Sequence, residues 1–182
     1  LVFVVIVLVP IALIARVPLL KFLKAVTEPV TLAFATASSE AALPKAMENM
    51  ESFGVPKKIV GFVLPTGYSF NLDGTTLYLS MATVFVAQMA GIHLTIGEQI
   101  GICFTLMLTS KGVAGVRGAS FVILAGTVGD IEGLNPESAS VILAVDALMD
   151  MGRTSINVLG NCLASAVIAR SEGELNVKKA LL

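Results

Sequence analysis

Charged and metal-ligating side chains are scarce in this sequence of 182 residues. Only 14% of the residues are charged, tryptophan does not occur, and there are one histidine and two cysteines. His93 stands alone in a predicted loop, and Cys103 and Cys162 lie in apolar segments, so neither a metal cluster nor a disulfide framework is expected. The formal net charge is −1, and we therefore expect no nucleic-acid partner.

The sequence also lacks the patterns of the common enzyme sites. It shows no nucleophile paired with a base, no clustered histidine or cysteine ligands and no phosphate-binding loop. Ser38 and Ser39 are better explained as small residues of a predicted turn than as catalytic nucleophiles. We therefore predict that the chain is not an enzyme and that it holds no cofactor.

Apolar residues, in contrast, make up 55% of the chain, and its mean hydropathy is +0.89. Ordinary soluble domains carry about 25% charged residues, and a soluble protein of this size could not cover so much apolar surface. The composition therefore predicts an integral membrane protein, and the helical patterns described below indicate that it is all-α. The chain opens on an apolar run with no signal-peptide pattern, and we interpret residues 1–17 as the end of a transmembrane helix that begins outside the sequence.

The apolar stretch 141–169 is long enough to cross a bilayer and carries an unusual polar pattern. At about 100° per residue, five polar side chains fall within about 80° of arc on one helix face. They are Asp146, Asp150, Arg153, Asn157 and Asn161. Such groups are too costly to face lipid, so they form either a self-neutralising network between helices or a substrate or ion pathway. We favour the pathway.

Two earlier segments have the pattern of re-entrant helical hairpins. Residues 18–54 pass through a small polar turn at 38–40 and lead into a polar helix predicted over 45–53. Residues 97–131 contain two apolar arms joined by a glycine-rich turn around 110–120. Irregular backbone at membrane depth must line a cavity or be buried in protein. A loop outside the membrane is the alternative interpretation of the first turn.

Residues 55–92 read as one helix that is broken between Pro65 and Thr76, where Asn71 and Asp73 also lie. Each half is shorter than the roughly 20 residues that cross a bilayer. We therefore predict a discontinuous transmembrane helix, which presents carbonyl groups and helix ends to ions. Two short helices with an aqueous loop between them are the simpler alternative.

The order of hairpin and spanning helix occurs twice, over 18–92 and 97–171. Such an internal repeat is typical of secondary transporters. The final transmembrane helix is predicted over 138–171, and residues 172–182 are predicted to be a polar tail outside the membrane. Three basic residues favour a cytoplasmic position for this tail: Arg170, Lys178 and Lys179.

Four motifs in this order carry a resemblance to a known family. They are Ser38, Ser39 and Glu40 with Leu43 and Pro44; Asn71, Asp73, Gly74 and Thr75; Ser110 with Lys111, Gly112 and Gly115; and Asp150, Arg153, Thr154 and Asn157. With them the sequence resembles the dicarboxylate/amino acid:cation symporters, the glutamate transporter family, and most closely its bacterial glutamate/aspartate branch. The resemblance covers nearly the whole chain and implies a glutamate-transporter-type transport domain with two re-entrant hairpins, without the helices of the trimer scaffold.

The function implied by this resemblance is secondary active symport of glutamate or aspartate with protons, or with sodium, by alternating access. The implied location is the bacterial inner membrane, as a multi-pass protein surrounded by lipid. The implied partners are a small acidic amino acid and two further copies of the full-length protein in a homotrimer.

The resemblance also implies a set of substrate-binding residues. Arg153 would hold the side-chain carboxylate of the substrate, because a guanidinium group offers a bidentate fork. Asp150, one turn earlier on the same face, would pair with the α-amino group. Further substrate contacts are implied for Thr75, Asn157, Ser38, Ser39, Val116 and Ser120.

Cation coupling is implied around the helix break and the second turn. In sodium-coupled members these positions line cation sites: Gly67, Ser69, Asn71, Asp73, Ser110, Lys111 and Val113, with sodium itself expected at Asn71 and Asp73. Asn161 departs from the aspartate of sodium-coupled relatives, so we expect a weakened sodium site and favour protons. The candidate proton carriers are Glu40, Asp73 and Asp146, because removal from water favours a neutral carboxyl group. A second departure is Arg117, which stands where proline is frequent.

The main alternative function is symport of a C4-dicarboxylate such as succinate, fumarate or malate. A dicarboxylate has no ammonium group to meet Asp150, and the dicarboxylate members lack aspartate there, so we favour glutamate or aspartate. Exchange of neutral amino acids would leave Arg153 unpaired. A passive channel would not need a single site with both Asp150 and Arg153.

Overall fold

The computed structural model describes residues 2–113 and 119–176, and within these ranges the chain is mostly helical and contains no β-strand. A π-helical turn, Val4–Leu8, continues into α1. The α-helices are α1 (Val9–Ile14), α2 (Leu19–Thr36), α3 (Ser39–Phe53), α4 (Lys57–Phe70), α5 (Asp73–Met89), α6 (Ile96–Thr109), α7 (Ala119–Gly129) and α8 (Leu143–Ser171). Two 3-10 helices, Ser110–Val113 and Pro136–Ile142, follow α6 and precede α8.

Helices α4 and α5 lie within the segment 55–92, and α8 lies within the segment 138–171, both of which the sequence predicts to span the membrane. Within the described parts of the chain, however, no helix combines the length and the apolar character that crossing a membrane requires.

The helices α2 and α3 pack against each other and are joined at Ala37, whose φ of 47° is left-handed. The sequence predicted the second of these helices from Lys45, but α3 begins at Ser39. The reason is a cap: the Oγ of Ser38 accepts a hydrogen bond from the backbone nitrogen of Ala41 at 3.3 Å. Pro44 therefore lies inside α3, where it removes one backbone hydrogen bond without ending the helix.

The break predicted between Pro65 and Thr76 is confined to two residues, Asn71 and Leu72, between α4 and α5. Helix α4 continues through Pro65, which is exposed. The carboxyl end of α4 and the amino end of α5 therefore meet at one point. Each end carries backbone groups without a partner inside its own helix.

Helix α8 holds the fold together, since it contacts α2, α3 and α4 and also α5. A first core cluster contains residues of the four helices α1, α2, α3 and α4 and of the later part of α8, among them Phe22, Met50 and Val158. A second cluster joins α5, α6, α7 and the Pro136–Ile142 segment. Three polar side chains of α8, those of Asp146, Asn157 and Asn161, contact α5 or the α4–α5 break.

Candidate functional site

Arg153 and Asp150 form an ion pair on α8 in which the arginine is buried and the aspartate is partly buried. The Nε of Arg153 donates to Oδ1 of Asp150 at 2.9 Å, and the two side chains are 7% and 19% exposed. The hydroxyl of Thr154 donates to the same oxygen at 3.3 Å. Pairing reduces the cost of burying both charges. The Nη1 of Arg153 is buried and has no hydrogen-bond partner among the described residues, so the guanidinium group retains an unused donor.

Tyr78 on α5 holds the Arg153 side chain from another direction. The guanidinium carbon lies 5.0 Å from the centroid of the Tyr78 ring, which is a cation–π geometry. The Tyr78 hydroxyl donates to Oδ1 of Asp146 at 2.6 Å. Tyr78 thus links two members of the predicted α8 stripe. No sequence motif indicated Tyr78, although it lies one helical turn after Thr75 on the same helix.

Asn157 closes the amino end of α5. Its Oδ1 accepts hydrogen bonds from the backbone nitrogens of Gly74 at 2.8 Å and Thr75 at 3.4 Å. Its Nδ2 donates to Oγ1 of Thr75 at 3.0 Å. Leu72, the residue before α5, provides no side-chain cap, so this amide from α8 takes that role. The Thr75 hydroxyl accepts from Asn157 and keeps its own proton for another acceptor.

A second polar cluster lies where the break meets α8. The Asn71 amide lies between Asn161 and Asp73: one of its terminal atoms is 3.0 Å from Oδ1 of Asn161, and the other is 2.9 Å from Oδ1 of Asp73. An amide nitrogen turned to Asp73 donates to that carboxylate. A Cβ atom on Gly160 would lie 3.0 Å from Oδ2 of Asp73, and one on Gly67 would lie 2.2 Å from Oδ1 of Asn161. These two glycines therefore permit the close approach of α4, the break and α8.

The 3-10 helix Ser110–Val113 forms hydrogen bonds with both helices that flank the break, α4 and α5. Oγ of Ser110 lies 3.2 Å from Oγ1 of Thr76 on α5. Nζ of Lys111 donates a hydrogen bond to the carbonyl oxygen of Phe70, the last residue of α4. Ser110 is fully buried. Of the other predicted cation-coupling residues, Ser69 is half-buried near the end of α4.

The remaining predicted residues are more scattered. Ser38 and Ser39 are half-buried at the α2–α3 turn and, within the described residues, make no hydrogen bond to Asp150 or Arg153. Glu40 is exposed. Ser120 is buried, and its hydroxyl has no partner among the described residues. Val116 and Arg117 lie outside the described residues, as do Lys178 and Lys179.

The described residues contain no group of three or more histidine, cysteine, aspartate or glutamate side chains that could hold a metal ion. What the site offers is a guanidinium group and a carboxylate side by side, flanked by hydroxyl and amide groups. This combination can bind a small molecule that carries both an anionic and a cationic group.

Comparison with known proteins gives a family model and several curated relatives. The model described as the sodium:dicarboxylate symporter family matches residues 1–171. The chain is 53% identical over 150 residues to the proton/glutamate-aspartate symporter of Escherichia coli (strain K12), which covers 82% of this chain and 34% of that protein.

Two further relatives carry different names. The proton/sodium-glutamate symport protein of Geobacillus stearothermophilus is 50% identical over 157 residues, covering 86% of this chain and 37% of that protein. The C4-dicarboxylate transport protein of Bacillus subtilis (strain 168) is 46% identical over 160 residues, covering 88% of this chain and 38% of that protein. The chain therefore spans well under half the length of these relatives.

Proposed function

The chain belongs to the sodium:dicarboxylate symporter family, and on that basis we propose that it forms the solute-binding part of a cation-coupled symporter for glutamate and aspartate. The observation that carries this proposal is the ion pair between buried Arg153 and partly buried Asp150. Two opposite charges 2.9 Å apart, with one guanidinium nitrogen that has no partner in the described part of the chain, suit a zwitterionic solute that also carries a second carboxylate.

In the proposed binding mode the solute replaces part of the internal pairing. Arg153 binds the side-chain carboxylate, and Asp150 binds the ammonium group. Tyr78 keeps the guanidinium group in place from below through its ring. Thr75 donates its hydroxyl proton to the solute, and Asn157 orients that hydroxyl by donating to its oxygen. Ser38, Ser39 and Ser120 would close over the solute from the two helix turns.

The coupling cation in this proposal is a proton, with sodium as the alternative. Asn161 supplies a neutral amide at the cluster with Asn71 and Asp73, so only one carboxylate is present there to attract a cation. Asp73 is the preferred proton carrier, because it is half-buried beside α8, whereas Glu40 is exposed and Asp146 is engaged by Tyr78. The relatives named above include both proton/sodium and proton couplings.

The proposed mechanism is alternating access in a bacterial plasma membrane. The site loads an acidic amino acid with its cation, the helices after α5 close over it, and the unit moves across a scaffold formed by the rest of a homotrimeric, multi-pass protein. In this proposal α2–α3 and α6–α7 are re-entrant hairpins. The apolar face that such a unit needs is supplied by exposed side chains such as Phe62, Phe85 and Phe104.

The test uses the full-length protein that carries this chain, purified and reconstituted in liposomes. Uptake of labelled aspartate is driven by an inward proton or an inward sodium gradient, with glutamate and succinate as competitors. We expect aspartate uptake to be lost in Asp150→Asn and retained in Asp130→Asn, a change at an exposed aspartate at the end of α7. Wild-type protein that transports neither amino acid would contradict the proposal.

Transport of a C4-dicarboxylate is the second candidate function. The observation in its favour is the Bacillus subtilis relative, whose 46% identity is close to the values for the glutamate relatives. Overall identity therefore does not separate the two substrates, and Asp150 does. Succinate uptake that survives Asp150→Asn, without competition by aspartate in the wild type, would favour the dicarboxylate.

A further inference from the structure

The break between α4 and α5 leaves two backbone groups that a continuous helix would join. In an unbroken helix the carbonyl of Phe70 would accept from the nitrogen of Gly74, four residues later. That nitrogen donates to Asn157 instead, at 2.8 Å. The Phe70 carbonyl is thereby freed, and it lies at the carboxyl end of α4, where the partial charge of a helix is negative.

The freed carbonyl is satisfied by a cation that belongs to the chain itself. Nζ of Lys111 donates to the oxygen of Phe70 across 41 residues of sequence. Lys111 forms no ion pair with a carboxylate of the described residues, so this carbonyl is its identified partner. Its ammonium group and the Asp73 carboxylate at the other side of the break are close enough to interact electrostatically.

The contact between Lys111 and Phe70 connects the segment after α6 with the end of α4. Lys111 lies on the 3-10 helix Ser110–Val113, which follows α6. Its neighbour Ser110 is bonded to Thr76 on α5, 3.2 Å away. The 3-10 helix is thus attached to both halves of the broken helix, by a neutral hydroxyl pair on one side and by a positive charge on the other.

We propose that the ammonium group of Lys111 takes the place of a coupling cation at the carboxyl end of α4. It holds the α6–α7 helix pair against the break without a free sodium ion. Carbonyl oxygens at the ends of interrupted helices are the usual ligands of monovalent cations in transporters, and an ammonium group donates to the same oxygens. Because the ammonium group is part of the protein, the positive charge at the end of α4 is present at every step of transport and does not depend on binding an ion from solution.

This inference rests on the proposed function for its transport readout, and it predicts a specific change when the charge is removed. Lys111→Met keeps most of the side-chain length and deletes the ammonium group. The α4 end is then free to attract a dissolved cation. We expect the half-saturating aspartate concentration in choline buffer to rise by about 2- to 30-fold, the range of a charge at a helix terminus, and to recover when sodium replaces choline.

Two matched variants separate charge from shape. Lys111→Arg keeps a cationic donor and should behave like the wild type in both buffers. Lys57→Met removes an exposed lysine from the first turn of α4, far from the carboxyl end of that helix, and should also behave like the wild type. The wild type itself should show the same half-saturating concentration in choline and in sodium at fixed pH.

A second readout does not depend on the solute. The thermal unfolding midpoint of the detergent-purified full-length protein is measured without substrate in choline and in sodium. Sodium should raise the midpoint of Lys111→Met and leave the wild type and Lys57→Met unchanged. If the wild type transports no acidic solute, the proposed function fails, and this measurement still decides the role of Lys111.

The opposite results are equally clear. A Lys111→Met protein that binds aspartate like the wild type in choline, or one that loses binding equally in choline and sodium, overturns the proposal. The first result means that the charge has no effect, and the second means that the side chain acts only through packing. A wild type that sodium stabilises as much as Lys111→Met overturns it as well.

Discussion

Gly74 and Arg153 touch through their backbones: a Cβ atom added to Gly74 would lie 2.4 Å from the carbonyl oxygen of Arg153. The first turn of α5 and the charged turn of α8 are therefore packed as closely as glycine allows. This contact fixes the distance between Thr75, on α5, and the Asp150–Arg153 pair, on α8. The geometry of the candidate site depends on it.

Gly74→Ala should therefore weaken both stability and solute binding. The added methyl group meets a backbone atom that cannot rotate away, and overpacking of this kind costs about 1–3 kcal/mol. The thermal midpoint of the purified protein and its half-saturating aspartate concentration measure the two effects. Gly61→Ala is the control, because within the described ranges no atom outside its own stretch of helix lies within 4 Å of the added Cβ, and alanine is the better helix former. A Gly74→Ala protein as stable as Gly61→Ala would show that the two helices can separate without loss.

Asn157→Ala should destabilise the protein because α5 loses its cap. Two backbone nitrogens and the Thr75 hydroxyl lose their partner on α8, and the loss of a cap costs about 0.5–2 kcal/mol. Burial adds to this cost, since an unsatisfied buried donor is penalised by a further 1–3 kcal/mol or so.

The same thermal denaturation measures Asn157→Ala beside Asn135→Ala. Asn135 is an exposed amide that precedes a 3-10 helix and makes no side-chain cap. We expect the midpoint of Asn135→Ala to match the wild type. Equal midpoints for both variants would contradict the capping role of Asn157.

The polar face of α8 was accessible from the sequence because it depends on one regular period. Asp150 and Arg153 are three residues apart, and in any α-helix such residues are neighbours. Their 2.9 Å contact therefore needs no information from elsewhere in the chain. The partner of Asp146 could not be deduced in this way, because Tyr78 is 68 residues away in sequence.

The ends of the helices were predicted less well for a physical reason. Pro65 indicated a break that occurs later, at Asn71, because a helix tolerates an exposed proline at the loss of one hydrogen bond. The true break is stabilised by distant groups, Asn157 and Lys111, which no local pattern reveals. Likewise Ser38 moved the start of α3 forward by capping it, although Pro44 suggested a later start.

Tyr78 offers a pair of substitutions that separate its ring from its hydroxyl. Tyr78→Phe keeps the ring 5.0 Å from the guanidinium carbon and removes the donor to Asp146. Tyr78→Leu removes both. If the ring positions Arg153, the half-saturating aspartate concentration should rise more in Tyr78→Leu than in Tyr78→Phe, by up to about 30-fold for a desolvated cation–π contact of roughly 2 kcal/mol. Equal losses in the two variants would assign the effect to the hydroxyl and Asp146.

Asn161→Asp should change which cation supports solute binding. Asn161 is fully buried, and its amide contacts Asn71, which in turn contacts Asp73. The substitution adds a second buried carboxylate to this cluster, and a buried charge without a partner is strongly destabilising. Sodium can neutralise it. We therefore expect Asn161→Asp to lower the thermal midpoint in choline, to recover it in sodium, and to make aspartate uptake respond to a sodium gradient.

The control is Asn135→Asp, which adds the same charge at an exposed position. Its thermal midpoint should be the same in choline and in sodium, and its aspartate uptake should not respond to a sodium gradient. An Asn161→Asp protein that is driven by protons alone, with the same midpoint in both buffers, would exclude this cluster as the place where the coupling cation is chosen.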